Sequence, residues 1–256
     1  MNYSISYGKI TKPTKNYFLP AGTRSQRRTL QGGIMHMSEN YDTYRHAGEL
    51  SIPAYNTVIG VVLLIGFVIN AVTVHFFTDY LVTLPTLPLI IGYFVVCIIG
   101  MLMSVCSDNP FISFIGYLLV VIPCGVILAI GIDGVEASTI AHAAVLTAIL
   151  VAIMLIASYI WPDFFASLGR VLLTSLTVFI VVELSAIIIF HYFMPSAWDY
   201  LVVALFCFYI GYDWVKAQKK YHSLDNAIDS CTDLYLDIIN IFIRLVSGSS
   251  RSKSSK

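Results

Sequence analysis

No lysine or arginine occurs between His46 and Gly169. A chain that withholds its permanent cations over that distance cannot clothe ordinary soluble domains, whose residues are about one quarter Asp, Glu, Lys and Arg. The interval is filled by apolar runs of the length an α-helix needs, about 20 residues at 1.5 Å rise, to cross about 30 Å of hydrocarbon. Composition agrees: 57% of the residues are apolar, 12% are charged, and the mean hydropathy is +0.79. The bilayer is the expected solvent, and an all-α membrane protein the expected fold class.

Seven membrane segments are predicted. The first runs from Tyr55 to Phe77; the second, opened by Pro85 and Pro88, ends at Cys106 before the turn Ser107-Asp108-Asn109-Pro110. The third spans Phe111 to Ile132 and the fourth Glu136 to Ile160, with Asp133-Gly134 and Trp161-Pro162-Asp163 as punctuation. The fifth covers Phe164 to Phe190, His191 to Pro195 links it onward, and the sixth covers Ala197 to Val215. The seventh, Ala227 to Val246, is interrupted by Asp229, Asp233 and Asp237. Each central carboxylate costs a few kcal/mol on insertion scales. Such a helix would hardly insert alone, so it is expected at the centre of the bundle, where its neighbours supply a polar environment.

The domain plan follows. Residues 1–54 form a polar, basic tail expected to be disordered, residues 55–246 the seven-helix domain, and residues 247–256 a polar C-terminal tail. The N-tail has no apolar core of a cleavable signal. Seven of the 15 Lys and Arg residues lie in the first 45 positions, and Lys216, Lys219 and Lys220 follow the sixth segment. A cytoplasmic N-terminus puts both groups on one side, as the positive-inside rule asks. Arg251, Lys253 and Lys256 then fall outside if the seventh segment fully spans, and inside if it is re-entrant. Both arrangements stay open.

Several function classes are disfavoured. Net charge is zero and no zinc-finger or RNA-binding pattern occurs, which sets nucleic acid aside. Cys97, Cys106, Cys124, Cys207 and Cys231 have no CxxC spacing and read as small buried hydrophobes. No HExxH, GxSxG or Walker loop is present, so no enzyme is expected.

Ionisable residues inside membrane segments are expensive, and therefore the default functional candidates. They are His75, His142, Glu183, Asp213, Asp233 and Asp237, with Asn70 and Asn240 as uncharged companions. Asp213 and Asp237 lie on antiparallel neighbours that can bring them together. Two carboxylates in a low-dielectric site cannot both ionise easily, so the pair is expected to share a proton. The bland alternative for Asp213 is a solvated helix-end residue paired with Lys216 or a neighbouring lysine.

Asp225, Asp229, Asp233 and Asp237 recur every four residues, a slowly drifting stripe on one helix face. Asp225 is read as loop, and Asp229, in the first turn, suits the positive end of the helix dipole. Asp229, Asp233 and Glu183 are the candidate lining of an ion pathway, with Glu183 equally readable as a protonated core acid. Hard oxygens suit Ca²⁺, but such a row can also pass protons or Na⁺. His75 and His142 read as hydrogen-bonded interhelical residues.

The run Leu234-Tyr235-Leu236-Asp237-Ile238-Ile239-Asn240-Ile241-Phe242 resembles the last-helix signature of the transmembrane Bax-inhibitor-motif family, LYLDxxNxF in its bacterial members. Gly211-Tyr212-Asp213 resembles the family's sixth-helix Tyr-Asp, at the same interval of 24 residues. Weaker similarity reaches Ala143 to Ala148 and Asp163 to Gly169. The resemblance implies seven helices around a central last helix, a pH-sensitive Asp213–Asp237 pair making transient Ca²⁺ contacts, and a Ca²⁺ leak. It implies no cofactor, Ca²⁺ being the transported ion, and it favours a bacterial plasma membrane. Eukaryotic relatives are linked to suppression of cell death and some bacterial ones to a membrane protease, which implies the rival reading of a non-conducting regulator with a membrane-protein partner.

Two positions depart from that pattern. Relatives with the aspartate latch carry an arginine near the end of the second helix, whereas Leu102 to Asp108 holds no basic residue. Asp233 stands where a small residue is usual, and is expected to add repulsion beside Asp237.

Overall fold

Each predicted apolar run is folded as helix in the computed structural model, which describes residues 49–190 and 195–254. Residues 1–48 of the predicted tail, residues 191–194 of the predicted link and residues 255–256 lie outside the described residues.

Helix boundaries follow local chemistry. α1 (Ile52–Leu81) starts where the Ser51 hydroxyl accepts from the Ala54 amide, with Pro53 in the first turn. It runs a turn beyond the expected Phe77, because Thr78 and Asp79 are polar but not helix-breaking. α2 (Thr86–Cys106) follows the extended Pro85. α3 (Pro110–Gly131) is capped by Asn109, whose side-chain oxygen accepts from the Phe111 amide at 3.0 Å. Gly134, at φ 70°, takes the left-handed conformation that turns the chain into α4 (Ala137–Ile160).

The fifth predicted segment is not one helix. Pro162 opens a short α5 (Pro162–Ser167), and α6 (Gly169–Phe190) starts after Leu168. The break lets the buried Phe165 ring lie directly on Gly211, where no Cβ could fit, while Gly169 abuts the Tyr212 ring. The remaining helices are α7 (Ser196–Lys219) and α8 (Leu224–Ser254), longer at both ends than the expected 227–246.

α8 packs on α7, α1, α3 and α4. α2 packs on α3, and α6 on α5 and α7. The backbone amide of Leu50 donates to the His222 carbonyl at 2.7 Å, pinning the entry of α1 to the α7–α8 turn. In the interior, Tyr117 donates to the Val62 carbonyl at 2.9 Å and meets the Tyr235 ring edge to face at 5.8 Å.

Six described helices, α1, α2, α3, α4, α6 and α7, are long and apolar enough to cross a membrane. Their outward faces carry Leu64, Phe76, Ile91, Ile149, Ile156 and Leu184, large apolar side chains left exposed. Lipid covers such surfaces in a multi-pass membrane protein.

Candidate functional site

The aspartates that make α8 a poor membrane segment are answered by three other helices. Asp225 accepts from the Ser113 hydroxyl of α3 at 2.6 Å. Asp229 accepts from the Ser104 hydroxyl of α2. Asp233 accepts from Lys216 of α7 at 2.9 Å, and Asp237 lies beside Asp213 of α7. Four residues advance an α-helix by slightly more than a turn, so the stripe drifts around α8. That drift explains why successive aspartates meet different neighbours.

The two expected partners are therefore together, at the interface where α7 and α8 pack. Asp237 is 4% exposed, and its second carboxyl oxygen has no hydrogen-bond partner among the described residues. Asp213 is 8% exposed and receives Lys216 Nζ at 3.3 Å. Asp213 thus pairs with Lys216 and lies beside Asp237, but it is buried and not solvated as a helix-end residue would be. The Lys216 side chain is 42% exposed, so its ammonium reaches the buried Asp213 from a partly open position.

The basic residue missing from α2 thus has a counterpart on α7. Asp233, expected to add negative charge beside Asp237, stands close enough to do so and also supplies a second oxygen ligand to Lys216. The physical reason is reach, because a lysine three residues beyond Asp213 can touch its own helix and the facing turn of α8 together.

Glu183 stands elsewhere. Its two carboxylate oxygens accept from Arg244 of α8 at 2.8 and 2.6 Å, the two-pronged geometry of a guanidinium on a carboxylate. Arg244 also donates to Asp199 at 3.1 Å, and Asp199 is fully buried at the start of α7. Arg244 follows Asp237 by seven residues, which places it on the same face of α8 about 10 Å further along. Two polar clusters therefore lie along the α7–α8 pair, and Glu183 belongs with Arg244, not with the aspartates. Arg244 and Asp199 escaped the sequence reading; the available signal was one arginine inside the apolar run Ile241 to Val246.

The companions differ in role. Asn70 donates to the Tyr235 hydroxyl at 2.6 Å, tying α1 to α8. Asn240 donates back to the Leu236 carbonyl of its own helix at 2.7 Å and takes no part in the pair. His75 and His142 do not bridge helices as expected. Both side chains are exposed, within two turns of the end of α1 and the start of α4. Among the cysteines, Cys106 is exposed and the other four are buried thiols.

Chemically, the α7–α8 interface offers a buried carboxyl pair that can hold one proton between two acids, or present charged oxygens when that proton leaves. The profile of a protein family described as inhibitor of apoptosis-promoting Bax1 matches residues 52–251. No curated protein shows significant similarity to the chain.

Proposed function

We propose, from the premise that the chain belongs to the family of inhibitors of apoptosis-promoting Bax1, that it is a pH-sensitive cation leak for Ca²⁺ governed by Asp213 and Asp237. The observation that supports this reading is Asp237 itself, buried at 4% exposure beside a second carboxyl group with one oxygen unpartnered among the described residues. A buried carboxylate without a full set of partners is costly, and membrane proteins retain such groups along ion and proton paths.

In this mechanism a shared proton joins the two acids and holds α7 against α8. When the proton leaves, two like charges in a low-dielectric site repel, the interface loosens, and the freed oxygens receive a cation. Asp233 and Asp229 lead from the helix end toward the pair. α8 serves as the seventh crossing, enclosed by the other helices, with the N-terminus cytoplasmic in a bacterial plasma membrane. The protein is a conduit and catalyses no reaction.

Reconstitution in vesicles loaded with a Ca²⁺ indicator tests the proposal. Wild-type flux should rise from pH 5 to pH 8, roughly the range open to a buried carboxyl pair. The double variant Asp213→Asn, Asp237→Asn should lose that dependence. Unchanged flux with an unchanged pH profile in the double variant would refute the proposal.

A further inference from the structure

A cavity of about 720 Å³ lies between α1, α3, α4 and α8, inside the range of about 300–1,000 Å³ typical of ligand pockets. Its wall is hydrocarbon, built from Phe67, Leu128, Val151, Ile239 and Phe242. Two polar residues, Asn70 and Thr147, stand at its edge. Thr147 donates to the Ala143 carbonyl at 2.8 Å within its own helix, and the Asn70 amide nitrogen is held by Tyr235 at 2.6 Å. The Asn70 oxygen sits against Gly125 of α3, buried and without a hydrogen-bond partner among the described residues.

The mouth of this cavity opens sideways. α1 packs on α3 and α8, and α4 on α5, α7 and α8. Between α1 and α4 the lining residues Ala71, Ala144, Ala148 and Ala152 are exposed. These alanines lie in the middle of helices that run Ile52–Leu81 and Ala137–Ile160. On either side stand the exposed side chains of Val68 and Val72 on α1, and of Val145 and Ile149 on α4. The opening is therefore continuous with the lipid-facing surface at hydrocarbon depth. Water is not available there to fill it, and an empty apolar space forfeits the dispersion contacts of its walls.

We infer that the hydrocarbon chain of a bilayer lipid enters between α1 and α4 and occupies this cavity against α8. The alanines on α4, one turn apart, keep the entrance wide enough for a methylene chain, and each buried methylene contributes contact with a wall that lacks competing polar groups. The inserted chain rests on Ile238 and Ile239, the two residues that follow Asp237. Occupancy therefore bears on where this part of α8 stands.

The test uses the full chain in phosphatidylcholine vesicles, with a minor fraction of the lipid carrying a photoactivatable diazirine on one acyl chain. After irradiation, adducts are mapped by peptide sequencing. Adducts are expected on Ile239 and Phe242 of α8, which a lipid reaches only by entering, as well as on Ala148. Ala148→Phe, which fills the mouth, should abolish the α8 adducts, whereas Ile149→Phe, on the neighbouring outward face, should leave their yield unchanged. Wild-type adducts confined to Val68, Val145 and Ile149 would overturn the inference, whether annular lipid or a second copy of the chain covers the mouth. So would α8 adducts that persist in Ala148→Phe.

Discussion

The ammonium of Lys216 crosses from α7 to the Asp233 carboxylate of α8 at 2.9 Å, while the same atom contacts Asp213 at 3.3 Å. One lysine thus touches both the buried acid that faces Asp237 and an acid one turn up the neighbouring helix. It is the cation nearest to the proposed latch.

Removing that cation should shift the pH response without unfolding the protein. A neighbouring positive charge helps a carboxyl pair give up its proton, so in Lys216→Met the rise of Ca²⁺ flux should move to higher pH by about one unit. Stability should fall by about 1 kcal/mol or somewhat more, because the Lys216–Asp233 contact is substantially exposed while the Asp213 side chain, which also loses the cation, is 9% exposed. Flux between pH 5 and 9 reads the first effect and thermal unfolding in detergent the second. An unmoved profile would remove Lys216 from the mechanism.

The second polar cluster behaves oppositely. Arg244→Met leaves Glu183 and the fully buried Asp199 without their shared guanidinium. Losing one partner of a buried ion pair costs about 3–5 kcal/mol. A large fall in thermal stability is expected, with Arg244→Lys recovering only part of it because an ammonium cannot make the two-pronged contact with Glu183.

Close approach of α2 and α3 makes a further prediction. A Cβ on Gly100 would lie 2.6 Å from the Gly116 carbonyl oxygen, and one on Gly116 would lie 2.6 Å from that of Gly100. Backbone cannot swing aside as a side-chain tip can, so Gly100→Ala or Gly116→Ala should force the helices apart at a cost of about 1–3 kcal/mol. Gly60→Ala, where nothing lies within 4 Å, is the matched control and should be neutral or slightly stabilising.

Tyr235→Phe deletes the hydroxyl that holds Asn70 and leaves that buried amide unpartnered. Interhelical hydrogen bonds in membranes average below 1 kcal/mol and reach about 1.7, so a loss of about 1 kcal/mol in unfolding free energy is expected. The variant separates this tie from the aspartate pair, since flux should keep its pH dependence.

Much of this arrangement is legible in the sequence. The first six membrane segments end within about a turn of their expected bounds, because hydrocarbon thickness dictates their length, whereas α8 runs two turns past Val246. Asp213 and Asp237 declared themselves by cost. The break between α5 and α6 was not legible, since it serves the docking of Phe165 on Gly211, a contact between residues far apart in the chain. Nor was the role of Lys216, which reads locally as a topology-setting cation and gains its second contact only when α8 folds back. Arg244 was visible as a lone arginine in an apolar run, but Glu183 and Asp199, which give it meaning, come from two other helices.

The manner in which α8 is held also bears on how the molecule is made. Ser113, Ser104, Lys216 and Asp213 belong to helices that leave the ribosome before α8 does. Until α8 arrives, those groups border a slot with nothing in it. The polar groups on α2, α3 and α7 therefore gain these partners only when α8 docks, and the bundle closes around its acids at that step.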